Sequence, residues 1–97
     1  MNQTSTAQLQ DAAQRQRYEL TLGGQLAGFI NYRDTGDARQ LVHTEVLPEH
    51  EGQGLGTQLA QFALDEARRT GRRVVPSCAF IAAYVKRHPH TADVVSS

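Results

Sequence analysis

The chain has 97 residues, with ten Lys plus Arg balancing ten Asp plus Glu, so its formal net charge is zero. That length carries one modest core and one domain, and the balance gives no global basic field to draw the chain to nucleic acid or an acidic membrane, although a local basic site stays open. No apolar run approaches the ~20 residues of a membrane span, and a single cysteine, Cys78, excludes an internal disulfide and a cysteine-based zinc cluster.

In chain order, the opening stretch MNQTSTAQLQDAAQRQ has no apolar segment of a secretory signal. It reads as a flexible polar tail over residues 1–15. Tyr18, Leu20 and Leu22 alternate with Arg17, Glu19 and Thr21, the period of a half-buried strand. Gly23-Gly24 signals a hairpin turn, and Leu26 to Tyr32 is the returning strand. The polar stretch RDTGDAR is the next turn, and Leu41 to Leu47 the third strand. Together these predict an antiparallel three-strand meander.

The period then changes. Leu59, Phe62, Ala63 and Ala67 fall on one helical face, and Gln58, Gln61, Asp65, Arg68 and Arg69 on the other. Gly71 stands where a C-terminal cap is expected, behind Arg68 and Arg69. RRVVPSC is a short fourth strand, and AFIAAYVKRH a second helix stopped at His88-Pro89. A strand–helix–strand unit implies a right-handed crossover with parallel strands. The fold class is therefore α/β (α+β), a central mixed sheet in one domain over residues 16–90. Residues 91–97 form a second tail, in which Val94 and Val95 are able to dock. A lone thiol fits a reducing cytoplasm.

Three glycines, Gly52, Gly54 and Gly56, alternate immediately before the first helix. A helix N-terminus presents unpaired N–H groups, and glycines beside it admit an anion to the backbone. The plain alternative is a flexible strand-to-helix loop. A dinucleotide fingerprint is not met, because its last glycine would fall at Leu59, and a phosphate-binding P-loop would need a Lys and Ser/Thr pair that is absent.

The segment EGQGLG, set between a strand and a helix, resembles the acyl-CoA pyrophosphate loop of the GNAT superfamily of N-acetyltransferases, Arg/Gln-x-x-Gly-x-Gly/Ala. Its glycines correspond to Gly54 and Gly56, and its first position to Glu51, where the chain departs from the pattern. With LVHTEV, VVPSCAF and YVKRHP, the likeness extends over Tyr18 to Pro89 and is to a minimal, YjdJ-type GNAT-like subfamily.

The resemblance implies an acetyl-CoA-binding N-acetyltransferase in which the strands flanking the first helix splay apart. The pantetheine arm would enter that V and bond main-chain groups of Val46 and Leu47. Gly52, Gln53, Gly54, Leu55, Gly56 and Thr57 would hold the pyrophosphate. Pro76, which lacks an N–H, falls where pairing should stop.

Four residues are candidates for the chemistry. Cys78, at a strand–helix junction, is a candidate nucleophile or acyl acceptor; otherwise it is a small buried hydrophobe. His43 shares a strand face with Glu45 and is a candidate base for the amine or for Cys78; otherwise it is a half-exposed strand histidine. Tyr84 corresponds to the tyrosine that protonates departing CoA in larger relatives; otherwise it is a core aromatic. Arg87, His88 and His90 match no zinc pattern, and no metal is expected. The acceptor is an amine, open to a protein or peptide because Gly23-Gly24 closes a connection that is helical in larger relatives. The alternative functions are a non-catalytic acyl-CoA-binding module and, further off, another nucleotide-binding protein. A monomer or weak homodimer is expected.

Overall fold

The alternating apolar pattern forms the expected meander, and the sheet extends beyond it at both edges. The structure, a computed structural model, describes residues 7–96. Five strands lie side by side in chain order: β1 (Ala7–Ala12), β2 (Arg17–Leu22), β3 (Gln25–Thr35), β4 (Ala38–Val46) and β5 (Arg73–Pro76). The first four are antiparallel, and β5 joins β4 in parallel. Helix α1 (Leu55–Thr70) connects β4 to β5, and α2 (Ala79–Arg87) follows β5. The mixed α+β sheet matches the expected fold class.

Both helices pack on one face of the sheet. Leu59, Ala63 and Leu64 of α1 and Ile81 and Tyr84 of α2 share a single buried cluster with Tyr18, Leu20, Ile30 and Leu41. The apolar stripe of α1 supplies this contact, and the N–H of Gly71 closes the helix onto the Ala67 and Arg68 carbonyls. The other face carries Arg17, Glu19, Phe29, His43 and Glu45, and packs against neither helix, as one face of an antiparallel sheet commonly does not; His43 and Glu45 are exposed on it, whereas Glu19 is buried. There Arg17 bonds Glu19 at 2.6 Å and lies over the Phe29 ring at 4.6 Å.

Three expectations are corrected. The polar tail placed over residues 1–15 contains β1, paired in register with β2 from Ala7↔Leu22 to Ala12↔Arg17; residues 1–6 lie outside the described residues. Its inward side chains are few, and the strand is fixed by its ladder and by Asp11, which accepts from Tyr32 and Arg39. The tail placed over residues 91–97 is partly docked. Pro89–Val94 forms a 3₁₀ helix with Thr91 and Val94 buried, and the N–H of Ser96 donates to the Val74 carbonyl at 2.7 Å. Arg73 donates to the Asp93 and Val95 carbonyls, and Arg68 to the Asp93 carboxylate. Finally, RDTGDAR is mostly strand: the turn is Gly36-Asp37 alone, because Arg39 grips Asp34 with two hydrogen bonds and extends the pairing.

Candidate functional site

The site begins where the sheet comes apart. Strands β4 and β5 pair only from Ala38↔Arg73 to Leu41↔Pro76. Pro76 has no N–H to continue the ladder. The N–H of Cys78 still reaches the Leu41 carbonyl at 2.9 Å, and beyond it the two segments diverge. Opposite this point the β3–β4 register slips between Asn31 and Tyr32, which leaves Val42 as an extra residue in β4.

Such a bulge re-aims the residues beyond it. The N–H of Leu47 donates to the Ala27 carbonyl at 2.8 Å. Because antiparallel ladders alternate, the N–H and C=O groups of Thr44 and Val46 then face away from β3, into the V. Val46 can therefore meet a ligand there. Leu47, expected to do the same, is engaged: its N–H is given to Ala27, and its carbonyl accepts from His50 at 2.8 Å.

A one-turn 3₁₀ helix, Pro48–His50, leads into the glycines. Gly52 (φ +84°) and Gly54 (φ +75°) hold left-handed conformations that a side chain disfavours. The first helical bond of α1 runs from the Gln58 N–H to the Gly54 carbonyl, and no side chain caps the helix. Among the described residues, the amides of Gly52 to Thr57 thus donate to no other backbone group. They border an open cavity of about 200 Å³ lined by Gly52, Gly54, Leu55, Gly56 and Thr57, with Val46, His50, Glu51 and Phe80. Gln53 lies in the loop but does not line the cavity. Gly56 is glycine for a different reason from the other two: a Cβ there would sit 2.9 Å from the Phe80 ring.

Cys78 is the N-cap of α2 and is 9% exposed. Its Sγ lies 3.4 Å from the Thr44 hydroxyl. Burial opposes ionisation, but the Thr44 hydroxyl and the backbone amides of the first turn, Ile81 and Phe80, outweigh it and hold the thiol below its ordinary value. The alkylation rate of Cys78 should accordingly rise with a midpoint below the ~8.5 of a free thiol. Thr44→Val should move that midpoint up by removing a donor to the thiolate. A midpoint at or above the free-thiol value would contradict this geometry.

The other candidates are dispersed. His43 and Glu45 pair at 3.2 Å on the face away from the helices, whereas Thr44 between them points to Cys78. Side chains alternate along a strand, so His43 is on the opposite side of the sheet from the thiol and does not contact it. Tyr84 is buried and stacked on His88 with ring centroids 4.0 Å apart. Burial, then the Asp65 carboxylate of α1, raises its hydroxyl above the ordinary value. Those contacts place it between the helices. Thr44, His50 and Phe80 are not singled out by the sequence. Thr44 was visible as the residue of opposite parity to His43, and Phe80 had no local signal, since its contact is with the remote Gly56.

Comparison with known proteins places this geometry. Residues 17–94 match the family described as GCN5-related N-acetyl-transferase. No curated protein matches the sequence. Among solved structures, the chain is similar to a GCN5-like protein from Staphylococcus aureus described as a candidate N-acetyltransferase. The two share 21% identity over 93% of this chain and 88% of that one, with a TM-score of 0.71. It is also similar to a ribosomal-protein-alanine N-acetyltransferase from Brucella melitensis biovar Abortus 2308, at 18% identity over 84% of this chain and 63% of that one, with a TM-score of 0.56. At these identities the likeness is one of fold.

Proposed function

The chain belongs to the GCN5-related N-acetyltransferase family, and on that footing we propose that it binds acetyl-CoA in the V between β4 and β5 and transfers the acetyl group to an exposed amine of a protein or peptide. The observation that carries the reading is the row of amides from Gly52 to Thr57 that, among the described residues, donate to no backbone group and lie beside the cavity. Such donors at a helix N-terminus suit a pyrophosphate. Val46 turns main-chain groups into the V, as a pantetheine amide requires, while the Thr44 amide is given to the Cys78 sulfur.

When bound, acetyl-CoA supplies the thioester whose acyl carbon is attacked. The amine nitrogen forms the new C–N bond, the C–S bond breaks, and the sulfur leaves as a thiolate that takes up a proton. In the direct form, Cys78 and Thr44 only shape the mouth of the V. In the relayed form, the Cys78 thiolate accepts the acetyl group first and passes it to the amine. His43 and Glu45, paired and exposed, remain candidates to collect the amine proton from the face away from the helices, and Tyr84 to supply one to the leaving sulfur. The first connection of the sheet is not Gly23-Gly24, as expected, but the one-turn 3₁₀ helix Ala13–Arg15 between β1 and β2, and its shortness favours a large acceptor.

Steady-state acetyl transfer to a panel of peptide and small amines tests the proposal. Turnover of one amine class is expected. Cys78→Ala lowers turnover by at least tenfold if the relay operates and little if transfer is direct, and intact mass after acetyl-CoA shows a Cys78 adduct only in the first case. A second reading, an acyl-CoA-binding module without turnover, is favoured by Glu51, an acidic residue in the lining of the cavity where an anion would sit. It predicts saturable CoA binding and no transfer to any amine.

A further inference from the structure

Among the described residues, the large hydrophobic side chains left exposed are Val42 and Phe80, at 39% and 37%. Both stand at the parted strands. Val42 is the bulged residue of β4, and Phe80 lies two positions beyond Cys78 in the first turn of α2. The Phe80 ring crosses from α2 to the first turn of α1. It approaches the Gly56 backbone so closely that a Cβ would meet Cζ at 2.9 Å and Cε2 at 3.3 Å. The same ring forms an apolar wall of the cavity together with Val46 and Leu55, while the glycine loop supplies its amides. The lining thus combines glycine-loop residues whose amides suit a phosphate with the apolar side chains of Val46, Leu55 and Phe80.

Ile81 and Tyr84 anchor α2 to the core, whereas Phe80 rests on Gly56 with 37% of its surface still exposed, apolar area whose burial would be stabilising. A glycine in the first turn of a helix costs stability relative to alanine, and Gly56 makes room for the ring.

We propose that Phe80 is a ligand-binding residue that recognises the pantetheine arm, and so selects a CoA thioester over nucleotides that offer only phosphates to the loop. The inference rests on the acyl-CoA reading above. On binding, the ring covers the arm and is itself covered, and the Cys78–Phe80 turn sets the thioester beside Cys78.

The test compares two ligands on wild-type protein, Phe80→Ala and Phe80→Leu by calorimetric titration: CoA, and 3′-phosphoadenosine 5′-diphosphate, which is CoA without its arm. Phe80→Ala should weaken CoA about tenfold, the scale of burying part of one aromatic ring, and leave the armless nucleotide unchanged. Phe80→Leu, which keeps an apolar wall, should recover most of the CoA affinity. Equal weakening of both ligands, or no weakening of CoA, would overturn the role of Phe80 while leaving the acyl-CoA reading intact. Failure of wild-type protein to bind CoA would overturn that reading and this inference with it.

Discussion

Gly54→Val is expected to weaken CoA binding by about tenfold to a hundredfold while the sheet and both helices persist. Gly54 is the N-cap of α1 at φ +75°. Valine there carries a strain of about 1–3 kcal/mol, and each 1.4 kcal/mol is a factor of ten. No heavy atom lies within 4 Å of the Cβ that a substitution would add, so nothing blocks the side chain sterically. The loop relieves the strain by leaving the left-handed conformation, and that re-aims the amides beside the cavity. The loss falls on binding because Gly54 is exposed and lies outside the buried cluster. Thermal stabilisation by saturating CoA, large in the wild type and nearly absent in the variant at equal Tm without ligand, is the expected reading. Undiminished stabilisation would mean that the loop amides do not hold the ligand.

The largest stability effect is expected from Arg39→Leu. The guanidinium bonds Asp34 at 2.6 and 3.0 Å, Asp11 at 3.1 Å and the Tyr18 hydroxyl at 3.1 Å, and it lies 3.7 Å over the Tyr32 ring. Its side chain is 11% exposed, against 40% for Asp34 and 33% for Asp11. Removing one partner of a buried pair costs about 3–5 kcal/mol, and the partial exposure of the acids reduces this to about 2–3 kcal/mol. At about 4–8 °C per kcal/mol for a domain of this size, Tm should fall by roughly 10–20 °C.

The effect has a definite pH dependence. The hydrogen bond from Arg39 holds the Asp34 carboxyl below its ordinary value. A depressed carboxyl contributes stability that is complete above its unfolded pKa, near 3.9, and that is lost as pH falls through the folded value. The Tm gap between wild type and Arg39→Leu should be constant from about pH 6 to 8 and should narrow below about pH 4. A gap that widens in acid would show that Asp34 is not what Arg39 stabilises.

The same arginine shows what could and could not be read from the chain. Tyr18, Leu20 and Leu22, the glycine turn and the stripe from Leu59 to Ala67 are local periodic signals, and each produced the element it announced. β1 offers Leu9 as its main apolar inward residue, and its anchor is Asp11 meeting residues 21 and 28 positions away. No window of local pattern contains that contact. The docking of Val94 against the core and of Arg73 onto carbonyls near the C-terminus is equally non-local.

At the site, the glycines and Pro76 could be read because each meets a backbone need: positive φ, close approach or a missing donor. The engagement of Leu47 could not, since it depends on the bulge at Val42. One inserted residue exchanges the backbone groups that face the V. His43 and Cys78 looked like partners in sequence because their chemistry is compatible. The alternation of β4 sets them on opposite faces.

Every role proposed for the site depends on an acyl-CoA phosphate lying on the amides of Gly52 to Thr57. Amide ¹H–¹⁵N shifts recorded during a titration with acetyl-CoA test this most directly. Saturable shifts concentrated at Gly52 to Thr57, with Val46 responding along the V, are the predicted result. Shifts that fail to saturate, or that cluster on the face away from the helices around Phe29 and His43 with the glycine amides unchanged, would contradict it.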